Sequence, residues 1–298
     1  MEQRYEQYGE GQQQAVKNRW NIDVLLELFR ASGEIALRNY EHPQIEVKAD
    51  HSAVTNADRE IERLFAARLD RPAEGSRLLG EETVDSRDEA YIAAALAEEC
   101  FILDPIDGTA PYAAGVPLWG ISLGLMREGA LVEGAIYSPV RDEAFLSCRG
   151  TILCARNIRS GAPEIEPFTP VKAAYTPAIP VCVGQSAARN WEFTFPNQMF
   201  VWSACVAVYD GLLRGKLYGM IQFCKLWDMA GGFPLLKLAG FEARFADGRE
   251  LGLDIVKEDN YFLARGPHRW RQKEHVVIAP DRKGTETIWT QVKVKNPL

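Results

Sequence analysis

No stretch of this chain approaches the ~20 consecutive apolar residues that a membrane-spanning helix needs. Its opening residues, rich in Glu, Gln and Tyr, lack the charged-then-apolar order of a signal peptide. A cytoplasmic location without a membrane partner is expected. Basic charge is short as well: 34 Lys and Arg stand against 41 Asp and Glu, a net charge of −7. That balance argues against a nucleic-acid polymer as partner, which would need a basic stripe. Six cysteines include no C-x-x-C pair, and most sit in apolar runs, so reduced core thiols are expected. The four histidines, His42, His51, His268 and His275, have no metal-binding spacing. The G-x-S-x-G of serine hydrolases and the phosphate-binding G-x-x-x-x-G-K-[ST] are both missing. Internal repeats and low-complexity tracts are missing too.

What is present is the patterning of a mixed α and β protein. At 298 residues, with 47% apolar side chains, the chain can bury one large domain or two small ones sharing a core. Apolar residues at helical spacing (Val24, Leu25, Leu28, Ala31, Ile35, Ala36) predict a helix over 21–40. Thr55 followed by Asp58 opens a second over 55–69 with a capping-box start, and a third is expected over 88–98. Strands over 119–126, 131–137 and 143–146, broken by turn residues, predict an antiparallel meander. A Pro-rich stretch, 163–180, separates it from a second half with strands at 181–183, 217–221 and 242–245 and helices at 204–213 and 229–238. The expected division is an extension over 1–20, an N-terminal half over 21–180 and a C-terminal half over 181–298.

One segment carries chemistry. The apolar run Cys100-Phe101-Ile102-Leu103 reads as a buried strand delivering Asp104 and Asp107 to its exposed end, with Pro105 stopping the strand. Gly108 permits a tight path that frees the N–H groups of Gly108 and Thr109 to point at an anion. Two oxygen ligands beside an anion nest suit a divalent cation holding a phosphate. Three other blocks accompany it: Lys48 to Glu60, with Thr55 and Asp58; Leu79-Gly80-Glu81-Glu82; and Lys225-Leu226-Trp227-Asp228-Met229-Ala230-Gly231-Gly232.

In this order and at these separations, over residues 24–248, the four blocks resemble the inositol monophosphatase family of magnesium-dependent, lithium-sensitive phosphatases. Its superfamily includes fructose bisphosphatases and nucleotide 3′-phosphatases. The resemblance implies a layered α-β-α-β-α sandwich, a homodimer and a small phosphorylated metabolite as substrate. It also implies two or three Mg²⁺ ions held by Glu81, Asp104, Asp107, Asp228 and the Ile106 carbonyl. Asp228 could also simply be the N-cap of the helix running to Leu238, a role Asp fills well and one compatible with ligating metal. Thr109, Asp58 and Glu81 are the implied catalytic residues, Thr109 and Asp58 aiming a water in line with the ester oxygen, without a covalent phosphoenzyme. Asp58 could instead only complete the capping box, Glu82 tunes the local field, and Lys48 lies either near the site or in solvent. Gly108, Thr109 and the helix start at Ser203-Ala204 are the implied phosphate binders.

Departures bear on the substrate. Ala110-Pro111-Tyr112 replaces the family's Thr-Asn-Phe, Trp202 replaces a glycine, and Ile221 stands seven residues before Asp228, where inositol monophosphatases carry a hydroxyl-reading glutamate. Lys225 would suit a second phosphate, as in nucleotide 3′-phosphatases. Sugar phosphates and histidinol phosphate stay open as substrates.

Overall fold

The computed structural model describes residues 20–48 and 52–295. Except for Trp20, the expected extension over 1–20 lies outside the described residues. Trp20 itself is buried, its indole N–H donating to the Ser147 carbonyl at 2.8 Å. Asn21 caps the first helix, Ile22–Tyr40, by accepting from the Val24 N–H. The second helix, Asn56–Leu69, starts at the anticipated box: the Thr55 N–H and hydroxyl both donate to the Asp58 carboxylate.

Seven strands form the larger sheet, in the order Ser76–Gly80, Glu99–Asp107, Gly120–Arg127, Ala130–Ser138, Glu143–Cys148, Thr151–Arg156 and Glu164–Pro167. The first pair is parallel and the rest form an antiparallel meander. Its last two strands were not expected. Glu164–Pro167 lies inside the Pro-rich stretch and pairs at the sheet edge, the place where a strand proline loses no ladder bond.

A second sheet has five strands, ordered Met199–Phe200, Val181–Val183, Gly219–Gln222, Val276–Ala279 and Glu242–Arg244. Val276–Ala279 is fully buried near its centre and was missed because a short continuous apolar run carries no period. The helix after it, Arg282–Trp289, covers the outer face.

Alternation along the strands sorts side chains into layers. Phe101, Leu103, Leu123 and Tyr137 pack against the two N-terminal helices. Cys100, Ile102, Met126 and Ile136 face the opposite way, into a core shared with helices Cys205–Leu213, Leu226–Ala230 and Phe233–Leu238 and with Cys182, Met220 and Ile278 of the second sheet. Ile221, Val277 and Ile288 close the far side. Helix, sheet, helix, sheet, helix is therefore the order through the molecule, and the fold is the mixed α+β sandwich that the resemblance implied.

Two local expectations fail. Pro105 does not stop its strand, which runs through Asp107 with an irregular register between Asp104 and Asp107. A proline is accommodated where the ladder is interrupted. The helix expected over 229–238 is two helices, divided at Gly231-Gly232, with Pro234 in the first turn of the second.

Candidate active site

Asp104 and Ser122 are cross-strand partners on the inner face of the large sheet. Ser122 reaches across to the short helix Leu226–Ala230: its hydroxyl donates to the Trp227 carbonyl at 2.8 Å and accepts from the Gly231 N–H at 3.1 Å. Gly124, two residues on, gives that helix room, since a Cβ there would stand 2.7 Å from the Ala230 Cβ. This docking brings Asp228 to the strand. Asp228 is not the N-cap; Lys225 is, and Asp228 sits in the first turn, its carboxylate accepting the Lys225 N–H at 2.8 Å. The capping geometry thus aims the carboxylate back towards the strand.

Asp107 bridges the two sheets' territories. Its carboxylate accepts from the Cys205 N–H at 3.0 Å and from the Val206 N–H, capping helix Cys205–Leu213. At the helix start next to Ser203-Ala204, Asp107 thus already occupies these two N–H groups. Ser203 and Ala204 still line the cavity, Ser203 with a left-handed φ of 54° and its hydroxyl accepting from Gln185 Nε2 at 2.7 Å.

One oxygen from each of Asp104, Asp107 and Asp228 lies within 4.8 Å of the others. Among the described residues, no Lys or Arg forms an ion pair with any of the three. Asp104 and Asp107 are 2% and 4% exposed, so their charges are removed from water, and among the described residues no cationic side chain is paired to them. Burial, followed by Glu81, pushes Asp104 well above the ordinary carboxylate range; burial and Asp228 do the same to Asp107. Burial and Glu81 raise Asp228 to about 6. An all-oxygen set of this kind fits a hard divalent cation.

Glu81 lines the same cavity, held by Lys48 Nζ at 3.2 Å and approached by Lys225 Nζ at 3.9 Å. Lys48 also meets Glu82 at 2.7 Å, which places it at the site rather than in solvent. Burial disfavours its ammonium, but Glu81 and Glu82 outweigh that and raise its pKa. Burial lifts Glu82 to about 7, with Glu81 adding to it.

Gly108, at φ 89°, turns the chain into the short helix Thr109–Ala113; a Cβ there would meet Ala204 Cβ at 2.7 Å. The Ile106 carbonyl accepts from the Thr109 hydroxyl at 3.1 Å, and the Ile106 N–H donates to Asp104. Thr109 and Asp58 share no direct hydrogen bond. Asp58 is fully buried with Oδ1 unpartnered, and burial raises it to about 6. Ala110-Pro111-Tyr112 continues the helix and buries Tyr112 against Tyr40 and Trp119.

The family model for the inositol monophosphatase family matches residues 21–287. The chain belongs to that family. An inositol-1-monophosphatase of Mesorhizobium japonicum is 30% identical over 247 residues, 78% of this chain and 88% of that protein. A histidinol-phosphatase of Chlorobaculum parvum is 32% identical over 133 residues, 44% of this chain and 49% of that one. Among solved structures, an IMPase/NADP phosphatase complexed with NADP and Ca²⁺ superposes with a TM-score of 0.68 at 18% identity, covering 90% and 92% of the two chains. This family member is a phosphoric monoester hydrolase, and its family is metal-dependent. Among the described residues, no helix is long and apolar enough to cross a membrane.

The cavity measures about 480 Å³ and runs from these acids to a wall built by the second sheet. Ile221 lines it, but its side chain is fully buried and packs with Val181, Val183, Tyr218 and Val277 on the outer face. The buried polar side chain on the inner face is Gln222, whose Oε1 accepts from the Tyr209 hydroxyl at 3.0 Å and whose Nε2 has no partner. Counting back from Asp228 missed it; the period of two along Gly219–Gln222 would have found it. Lys225 directs its ammonium to Glu81 and is not part of the cavity wall. Ser122 and Glu62 were also missed. Glu62, buried, accepts from the Glu82 N–H at 2.8 Å and braces the Glu81-Glu82 turn. A lone Ser in a strand and a Glu on a helix give no sequence signal of such roles.

Crowded acids set the pH dependence of the metal-free protein. Asp58 and Asp228 at about 6 and Glu82 at about 7 lie above their ordinary 3.8 and 4.5. The folded chain therefore holds protons that the unfolded chain has released, and this stability is lost as pH rises through 6 to 7. Burial lowers His275 to about 4, an opposing effect confined to pH below its ordinary 6.5. Thermal melting in EDTA should thus give a higher Tm at about pH 6.5 than at about pH 8, and saturating Mg²⁺ should narrow the gap. A metal-free Tm that climbs over this interval contradicts the crowding.

Proposed function

We propose that the chain is a Mg²⁺-dependent phosphomonoesterase acting on a small phosphorylated metabolite by in-line attack of water. The observation that carries this reading is the triad of buried Asp104 and Asp107 with half-buried Asp228, to which no Lys or Arg among the described residues is ion-paired. With Glu81 and the Ile106 carbonyl, these residues would hold two or three ions. Bound there, Mg²⁺ supplies the positive charge that neutralises the ester phosphate and makes water nucleophilic near neutral pH.

The chain's own groups do the rest. Backbone N–H groups at Gly108 and Thr109 bind phosphate oxygens where the left-handed glycine opens the turn. The Thr109 hydroxyl orients the water, and the unpartnered Oδ1 of Asp58 is the acceptor that would polarise it. Lys48 and Lys225 balance Glu81 until a cation takes their place. A screen of inositol phosphates, sugar phosphates, histidinol phosphate and 3′-phosphonucleotides tests the reading. Turnover should require Mg²⁺ and fall on adding Li⁺, which matches Mg²⁺ in size with half its charge. Hydrolysis that persists in EDTA overturns the metal reading; insensitivity to Li⁺ removes only that part.

The far wall favours a leaving group other than a bare polyol. Cys182, Val183, Val208, Met220 and Phe223 make much of this wall apolar beside Gln185 and Gln222, and a polyol hydroxyl buried against the apolar part stays unpaired at a cost of about 1–3 kcal/mol. Lys225, released from Glu81 by metal, would meet a second anionic group. The ratio of kcat/KM for 3′-phosphoadenosine 5′-phosphate over inositol 1-phosphate should exceed one and fall about tenfold in Lys225→Ala, roughly one lost exposed charge contact. A ratio below one, or one unmoved by the substitution, rejects Lys225 as selector.

A further inference from the structure

A short two-stranded ribbon forms a rim of the cavity beside the second sheet. Lys225 and Arg271 are antiparallel bridge partners in it. The Gln272 N–H donates to the Cys224 carbonyl at 3.0 Å, and the Leu226 N–H to the Trp270 carbonyl at 2.8 Å. Directly opposed residues send their side chains to one face, and so does the residue two positions along an extended strand. Lys225, Arg271 and Phe223 therefore share a face. That face is the cavity side: Phe223 lines the cavity, and the Lys225 ammonium stands 3.9 Å from Glu81, which lines it too.

These side chains differ in what holds them. Phe223 is fixed by an aromatic stack, with His275 at 4.6 Å and an interplanar angle of 17°, and Trp191 packed on His275 at 4.3 Å. Burial lowers His275 to about 4, so the stack brings no charge of its own at neutral pH. Arg271 places its guanidinium over the Phe223 ring, 5.6 Å from the centroid. Its neighbours in the loop have acids: Arg269 meets Glu89 at 2.6 Å and Lys273 meets Asp259 at 2.7 Å. Arg271 is half-buried, and among the described residues its guanidinium forms no ion pair and no hydrogen bond. A guanidinium carries five N–H donors and does not lose its proton. Partly removed from water, with a ring for a neighbour and no carboxylate, it is poised for an oxyanion.

We propose that Arg271 is a specificity-determining residue that holds an oxyanion on the leaving-group side of the substrate by two parallel N–H bonds. The substrate class is then a phosphate monoester whose alcohol carries a second acidic group, a phosphate or a carboxylate. Phe223 keeps the planar guanidinium in one orientation, so little freedom is lost when the anion arrives. A neutral polyol gives these donors nothing they do not already get from water. The inference deepens the phosphatase reading of this cavity and rests on it for turnover.

The test compares substrates that differ in that second group: 3′-phosphoadenosine 5′-phosphate against adenosine 3′-phosphate, and 3-phosphoglycerate against glycerol 3-phosphate. With Mg²⁺, the native protein should have the higher kcat/KM for the doubly acidic member of at least one pair, and that pair distinguishes phosphate from carboxylate. Arg271→Ala, or Arg271→Met should the first fold poorly, should cut this preference about 10- to 10²-fold, the range for hydrogen bonds to a charged group. The loss should appear in KM rather than kcat. Arg271→Lys keeps the charge without the fork and should recover only part of the preference. Calorimetric titration with the dephosphorylated products, adenosine 5′-phosphate and glycerate, reads the same contact without catalysis, and the matching product should bind more weakly to Arg271→Ala by a similar factor. No turnover on any of the four esters, with product binding still dependent on Arg271, rejects the phosphatase reading and leaves this one standing. A native preference for the singly acidic member of both pairs overturns the proposal. So does a preference, or a product affinity, that Arg271→Ala leaves unmoved.

Discussion

Asp104→Asn is expected to lower Mg²⁺-dependent turnover by at least about 10³-fold, the several kcal/mol that a properly held cation contributes to a phosphoryl transition state. The fold should survive. Asn keeps the volume and the oxygen that accepts from the Ile106 N–H, and its amide can donate to Asp228. In EDTA the variant should melt higher than the native chain, because one of three crowded carboxylates is gone. The two readouts move in opposite directions, which separates loss of a ligand from loss of structure. Near-native turnover sinks Asp104 as a metal ligand; a lower metal-free Tm sinks the repulsion argument.

Thr109→Ala should depress kcat by about 10²–10⁴-fold, the range for orienting and proton-transfer groups, with KM changed little. Backbone N–H groups at positions 108 and 109 survive the substitution and keep hold of the phosphate. The substitution also removes the hydroxyl that donates to the Ile106 carbonyl. Thr109→Ser separates the two causes: it restores the hydroxyl without the methyl and should recover most of the rate. A rise in KM with kcat intact would make Thr109 a binding residue only.

Much of this site was legible because its parts are local. Asp104-Pro105-Ile106-Asp107-Gly108-Thr109 is one continuous segment in which a strand end, a bulge and a left-handed glycine follow one another. The Thr55–Asp58 capping box is four residues long and formed as written. Glu81 and Glu82 follow a strand whose apolar lead-in is plain. For the same reason the amphipathic helix Ile22–Tyr40 and the inner strands of the meander came out within a residue or two of their expected ends.

Other features were hidden in partnerships between distant residues. Asp228 read as an N-cap because an acid before an apolar run is the usual sign of one; that Lys225 takes that position depends on where Ser122 pins the helix. The helix start near Ser203-Ala204 read as a phosphate binder; that Asp107, almost a hundred residues earlier, occupies the next two N–H groups, of Cys205 and Val206, carries no local signal. Ile221 and Gln222 are neighbours in sequence, and only the sheet's orientation decides which of them faces the shared core.

The sequence by itself determined the fold family, the identity of the acids and the turn that presents them, since period, capping and glycine conformation are properties of short segments. Tertiary structure alone decided that Asp104, Asp107 and Asp228 converge within 4.8 Å and that Lys48 and Lys225 both lean on Glu81. The physical reason is that like charges carry no local preference for one another. The packing of helices between two sheets brings them together, and the energy of that packing comes from apolar side chains elsewhere in the chain.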